Sequence, residues 1–303
     1  MMYSGGRGTE SRHSCDRWVG MKNVEIAFCN GNDKDYQAKL NVLLKEVFFD
    51  FKFWYDLNLW DDNYESYAIF NGDTIVSNIC VYKTQVMFSG QTHLALSIGA
   101  VATKEGFRKQ GLSRFLMEHL IAKYDGVPMY LYADDSALDF YPKFGFERVI
   151  EKLPVATCTI DNDHLSASKL PYDHPRIRDY VYHRVNISEE LDCLNTACIN
   201  LFHIHFGYLK DCLYEIPALK TMVIAEQEGT TLVLKGVFSL QHIGFADLLM
   251  HLPFSNVERV EFGFVPPWRD LQVVWEEAEG DPLFVRGVTC ALGDVKFPEL
   301  SRT

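Results

Sequence analysis

Arg108 and Lys109 stand immediately before Gln110-Gly111-Leu112-Ser113, at the head of a segment whose Leu112, Phe115, Leu116 and Leu120 fall on one helical face. A short apolar strand, Ser97 to Thr103, leads into this turn. Strand, basic turn and uncapped helix start together offer free backbone amides and two positive charges, the chemistry of a held phosphate. The run from Gly106 to Ser113 nearly satisfies the loop that cradles nucleoside triphosphates, but Leu112 stands where that loop needs lysine. Without the lysine and a partner acid for magnesium, phosphoryl transfer has no electrostatic clamp. The turn therefore fits a diphosphate that is anchored and not cleaved, with the amides of Lys109 to Ser113 as donors and Gly111 letting the backbone come close. Taken alone, the segment also fits a solvated basic turn with ordinary helix capping.

Two motifs together narrow the reading. Arg108-Lys109-Gln110-Gly111-Leu112-Ser113 resembles the acyl-CoA pyrophosphate motif of the GNAT superfamily of N-acetyltransferases, with Ser113 a mild departure where Gly or Ala is usual. Downstream, Ala137, Phe140, Tyr141, Phe144, Gly145 and Phe146 resemble the second GNAT signature, and Gly99 to Thr103 resembles the strand that meets the pantetheine arm. The resemblance covers about residues 23 to 155. It implies the acyl-CoA N-acyltransferase fold, an α/β (α+β) architecture with a mixed, mostly antiparallel sheet flanked by helices. Two central parallel strands, Leu94 to Thr103 and Met129 to Ala133, would splay apart to admit the cosubstrate, acetyl-CoA. The cofactor-binding residues it implies are Val101, Ala102, Thr103, Arg108, Lys109, Gln110, Gly111, Leu112, Ser113, Asp134, Ala137 and Phe140.

Direct attack of an amine on a thioester needs positioning, a neutral amine and a proton for the departing thiolate. The resemblance makes Tyr141 the general acid, against the simpler reading of a core tyrosine beside Phe140. The matching position for a carboxylate base is Ala95, which takes no proton. His93 lies two residues earlier on the same strand face and is the candidate base, unless it is an ordinary rim histidine. Asp61, Asp62, Glu65 and Asp134 are further acids to weigh, and the acceptor can also arrive already deprotonated. At Asp134 the family commonly carries Asn, and a carboxylate beside phosphates or carbonyls is unfavourable unless it points away.

Around these residues the pattern predicts a strand over Val24 to Phe28 and a helix beginning near Asp33 and Asp35. The aromatic run Phe48 to Trp60 reads as core plus a short helix, or as lining of an acceptor cleft. Tyr67 to Phe70 and Thr74 to Val86 read as antiparallel strands about Asn71-Gly72, followed by Thr92 to Thr103. Met129 to Ala133 is a strand, Ser136 to Phe144 a short helix, and Phe146 to Ile150 the start of another strand.

The expected division is a loose tail over residues 1–20, a GNAT domain over 21–155, a turn-rich linker over 156–178 and a second α/β domain over 179–303. In the latter, Tyr180 to Val185 reads as a strand, and Ser188 as the cap of a helix from about Leu191 to Tyr208. Strands follow at Thr221 to Gln227, Thr230 to Ser239, Val257 to Phe264 and Leu283 to Val285, with a helix at Phe245 to Leu252. The order echoes the first half. Val233 to Ser239 is followed by Leu240-Gln241-His242-Ile243-Gly244-Phe245, with no Arg, Lys or repeated Gly, so this half reads as a degenerate second copy without the phosphate site. A module resembling sterol-carrier domains is the alternative.

The 303 residues carry a formal charge of −12, with 41 acidic against 29 basic residues, which argues against a general nucleic-acid surface. A hydrophobic share of 48% supplies packed cores. The expectation is a cytoplasmic protein without a membrane span or signal peptide, its eight cysteines, among them Cys193 and Cys198, mostly core thiols and no metal bound. His203 and His205, two apart on a helix, make a poor metal pair. The function expected is N-acetyl transfer from acetyl-CoA to a small-molecule or peptide amine, by a monomer or dimer. The rivals are a non-catalytic acyl-CoA sensor and an acyl-CoA hydrolase or O-acyltransferase.

Overall fold

The computed structural model describes residues 25–31, 33–160, 166–278, 280–288 and 292–303. The expected tail over residues 1–20, and with it Cys15, lies outside the described residues, as does Cys290.

The first half opens with β1 (Ile26–Cys29) and α1 (Lys34–Val47), whose start is capped by Asp33 accepting from the Tyr36 amide. A short α2 (Lys52–Asp56) precedes the meander β2 (Tyr64–Asn71), β3 (Thr74–Phe88) and β4 (Gln91–Thr103). Then come α3 (Leu112–Lys123), β5 (Met129–Tyr132), β6 (Glu147–Val149) and β7 (Lys152–Ile160). The second half contains β8 (Ser168–Lys169), α4 (Arg176–His183), β9 (Leu191–Cys193), α5 (Ala197–Phe206), β10 (Leu213–Ile216), β11 (Thr221–Glu228) and β12 (Thr231–Ser239). It closes with α6 (Phe245–His251), β13 (Val257–Phe262), β14 (Val274–Glu277) and β15 (Leu283–Arg286).

These strands form two mixed sheets of the same design. The first runs β1-β2-β3-β4-β5-β15-β6, with β9 added beside β3, and the second runs β8-β10-β11-β12-β13-β7-β14. In each, neighbours are antiparallel except one central pair, β4 with β5 and β12 with β13. In each, the sixth place is taken by a strand from the other half. Strand β7 follows β6 in the chain yet pairs with β13 and β14, while β15 pairs with β5 and β6. The halves have traded equivalent strands, so neither sheet is complete without the other. The stretch expected as a linker begins inside β7, and the last strand of the expected second domain belongs to the first sheet.

Apolar packing follows the strand alternation. On one face of the first sheet Val81, Leu96 and Ile98 pack with Leu112, Leu116 and Leu120 of α3. On the other, Cys80 and Ala102 pack with Leu40, Leu43 and Leu44 of α1. Further along that second face, Tyr82 joins Trp54 and residues of α4, α5, β11 and β12 in one cluster that spans both halves.

Three local expectations are corrected. Tyr180 to Val185 is not a strand: Ile177, Tyr180 and Val181 are buried at helical spacing in α4, which starts directly after Pro175. The long helix expected from Leu191 is instead β9 followed by α5, because Leu191 to Cys193 pairs with the end of β3. Ser136 to Phe144 forms two 3-10 turns, Asp135–Ala137 and Tyr141–Phe144, with Pro142 inside the second.

Candidate functional site

Strands β4 and β5 touch along two residue pairs only, Leu96 with Met129 and Ser97 with Tyr130. Beyond Ser97 the strands part, β4 keeping β3 as its partner and β5 keeping β15. The register between β3 and β4 slips between Asn78 and Cys80, so β4 carries an extra residue there, and Ala100 takes a left-handed backbone with φ 48°. The bulge lies on the stretch of β4 that has left β5, and two of its carbonyls are held on the β3 side, Ala100 accepting from the Asn78 amide at 3.0 Å and Ala102 from the Ser77 hydroxyl at 3.2 Å. Val101 and Thr103 are half-buried, and Ala102 is buried under α1.

The turn after β4 completes the opening. Lys109 (φ 61°) and Gly111 (φ 81°) both take the left-handed region, and Gly111 is the N-cap of α3 with no side-chain cap. The first amides of α3 have no partner within the helix, so they and the helix dipole face outward. Arg108, Lys109 and Gln110 are exposed, whereas Leu112 is buried in the α3 core. Arg108 Nε donates to the Thr103 carbonyl at 3.1 Å, which holds this cation beside the turn. The Ser113 hydroxyl lies 2.7 Å from that of Thr103, itself 2.8 Å from Ser77. The hydroxyl at the motif's unusual last place thus ties the helix start to the strand end. Amides, two cations and a close-approach glycine fit a diphosphate here.

After β5, Tyr141 begins a 3-10 turn and packs against Phe140, Phe146 and Phe284, with ring centroids 5.3, 6.0 and 5.8 Å away. The residue is 6% exposed. Burial, and then the charge of Asp134, push its hydroxyl up to about 12, so it holds its proton at neutral pH. Ala137 and Phe140 are half-buried against the α3 core. Asp134 caps the preceding turn, accepting from the Ser136 amide at 2.8 Å, and its pKa is lowered by the Ser136 hydrogen bonds. The carboxylate does the work of a side-chain cap, which Asn also does.

The acid and base candidates scatter. His93 is exposed, opposite Val86, six residues from Gly99 and so about 20 Å along the strand. It stands at the closed side of the strand pair, away from the opening. Ala95 is buried among Tyr130, Cys193 and Phe297. Asp61 accepts from the Tyr82 hydroxyl at 2.7 Å. Asp62 has an exposed backbone turn as its setting, next to Asp61 before β2. Glu65 is buried on the sheet, and although burial alone would raise it, hydrogen bonds from Tyr124, Tyr67 and Lys83 hold its carboxyl below the usual range. His203 donates from Nε2 to the Arg302 carbonyl at 2.9 Å, while His205 sits beside Tyr172.

One neighbour of the opening carries no sequence signal. The Thr303 hydroxyl lies 2.6 Å from that of Ser97, and a Cβ on Gly99 would meet the Thr303 Cβ at 3.0 Å. On its way there the chain crosses the equivalent place in the second sheet. Pairing of β12 with β13 ends at Leu234 and Phe262, just before a bulge at Lys235. There the turn Glu299–Ser301 is inserted: the Glu299 amide donates to the Gly263 carbonyl at 2.8 Å, and a Cβ on Gly236 would meet Leu300 Cδ1 at 2.9 Å. The second copy of the opening is filled by the protein's own chain.

Residues 34–149 match a family model described as an acetyltransferase (GNAT) domain. Among solved structures, the fold is shared with a probable N-acyltransferase of Enterococcus faecalis V583, described as a conserved protein of unknown function (14% identity, TM-score 0.54, 86% of this chain and 72% of that one). It is also shared with Eis1 from Mycobacterium abscessus (12%, TM-score 0.56, 87% and 73%). A GCN5-related N-acetyltransferase from Kribbella flavida shows the same likeness (11%, TM-score 0.51, 86% and 72%). No curated protein matches the chain. Among the described residues no helix is long and apolar enough to cross a membrane, and no cluster of three or more metal-binding side chains occurs.

Proposed function

We propose that this chain, which carries a domain of the GNAT acetyltransferase family over residues 34–149, is an acetyl-CoA-dependent N-acetyltransferase acting on a small-molecule or peptide amine. The observation that carries the reading is the parting of β4 from β5 after Ser97 and Tyr130, directly upstream of the uncapped α3 start. An arm with its own amides satisfies the strand groups exposed by such a parting, and a diphosphate satisfies the helix start. When bound, acetyl-CoA supplies a thioester carbonyl for attack.

The chain's own contribution is largely positional. Gly99 to Thr103 orient the arm through main-chain groups, and Arg108, Lys109 and the amides up to Ser113 hold the phosphates. Tyr141 keeps a proton on its hydroxyl for the leaving sulfur. With Ala95 in place of an acid, the proton of the amine leaves to water or is lost before binding. Thiol release from acetyl-CoA measured across a panel of amines tests the reading: turnover with at least one amine, lost in Tyr141→Phe, supports it. Binding of coenzyme A without turnover for any acceptor would instead favour a non-catalytic acyl-CoA-binding module. That second reading draws on buried Ala95 and on His93 at the closed side of the strand pair.

A further inference from the structure

The opening between β4 and β5 has a closed end, and its closure bears on which acyl group fits. The six-residue run from Thr103 back to Ser97 spans about 20 Å. With the phosphates at the α3 start, an extended arm along β4 delivers its acyl group near Ser97, where the strands rejoin. This step rests on the proposed function.

At that apex, on the face away from α3, stands Thr303. Its hydroxyl is 2.6 Å from that of Ser97, a residue with no exposed surface. Its Cβ, main-chain carbon and hydroxyl lie 3.0, 3.1 and 3.2 Å from where a Cβ on Gly99 would be, so glycine is what lets the two segments approach so closely. The residues before it are fastened at every step. Thr196 and Asn200 hold Ser301, with the Asn200 amide also donating to the Leu300 carbonyl at 2.6 Å. His203 holds the Arg302 carbonyl, and the Arg302 guanidinium pairs with Glu151 at 2.7 Å while lying 4.3 Å over the Tyr132 ring. Beside the apex, Ala95, Tyr130 and Phe297 are packed together with little exposure.

We propose that Thr303 is the end wall of the acyl pocket and restricts the donor to short acyl groups, acetyl or propionyl. Overpacking a fixed wall is unfavourable, and each added methylene presses further against a residue bonded to Ser97 and carried on a segment that Thr196, Asn200, His203 and Glu151 hold in place.

The test needs no knowledge of the acceptor. Coenzyme A and its acetyl, propionyl and butyryl thioesters are titrated calorimetrically into the full chain, the Thr303→Gly variant and the Ser97→Ala variant. The wild-type protein is expected to bind butyryl-CoA at least tenfold more weakly than acetyl-CoA. Thr303→Gly is expected to bring the two within threefold, and Ser97→Ala, which frees the Thr303 hydroxyl, to narrow the gap partway. A flat chain-length profile in wild type, or an unchanged ratio in Thr303→Gly, overturns the inference while leaving coenzyme A binding intact. Failure of wild type to bind coenzyme A at all overturns the proposed function as well.

Discussion

The Asn78 side-chain amide donates to the Ala100 carbonyl at 3.0 Å, and Ala100 is the left-handed residue of the β4 bulge. The bond is the end of a relay: Tyr36 on α1 meets Ser66 on β2 at 2.7 Å, and the Ser66 hydroxyl donates to Asn78 Oδ1 at 2.6 Å. A left-handed alanine costs about 1 kcal/mol, so something must hold it. Asn78, with no exposed surface, is what holds it.

Asn78→Ala is therefore expected to lose about 1–3 kcal/mol of stability by orphaning buried groups, and to weaken coenzyme A binding about tenfold as the bulge relaxes. Adding Ala100→Gly should recover part of the affinity, since glycine takes the positive φ unaided. Urea melts and titration calorimetry on the single and double variants check this; affinity unchanged in Asn78→Ala would mean that the bulge needs no support.

Removing the Tyr141 hydroxyl should leave coenzyme A affinity within twofold while lowering kcat about a hundredfold, the scale of a lost general acid. Steady-state kinetics of Tyr141→Phe with an active amine give the answer. An unchanged kcat would make the residue a core tyrosine.

Tyr141 also predicts a pH dependence of stability. Its folded pKa, about 12, is raised by burial and by Asp134 above the unfolded value near 10. The associated stability is present in full below pH 10 and is lost as pH climbs toward 12. Tyr64 and Tyr130 are pushed up by burial in the same direction and add to the loss. Urea midpoints measured from pH 8 to 11.5 should fall above pH 10, and less steeply in Tyr141→Phe.

The exchange of β7 and β15 makes the halves interdependent. A fragment ending at residue 150 lacks the strand between β5 and β6, and is expected to lack a cooperative unfolding transition. Co-expression with residues 151–303 should restore one. A dispersed amide spectrum from the first fragment alone would contradict the interdependence.

What could be read from the sequence was local. The α3 turn declared itself because a positive-φ glycine, two cations and a helical apolar stripe sit within a dozen residues, and the meander around Asn71-Gly72 needed only its turn. The repeat of element order in the second half was also visible, and the matching parallel pairs bear out the likeness. The segment Tyr180-Val181-Tyr182 misled because β-branched and aromatic residues favour strands, whereas Ile177, Tyr180 and Val181 bury one face of α4. The traded strands and Thr303 against Gly99 carry no local signal, since each joins positions about a hundred residues apart or more and no spacing rule reaches across that distance.

The most direct test of the account is coenzyme A titrated into wild type and into the double reversal Arg108→Glu, Lys109→Glu. Both side chains are exposed, so the double variant should melt within about 2 °C of wild type. Wild type is expected to bind, and the double variant to bind at least tenfold more weakly with a smaller salt dependence. Equal affinity in the two proteins, or none in wild type, would contradict it.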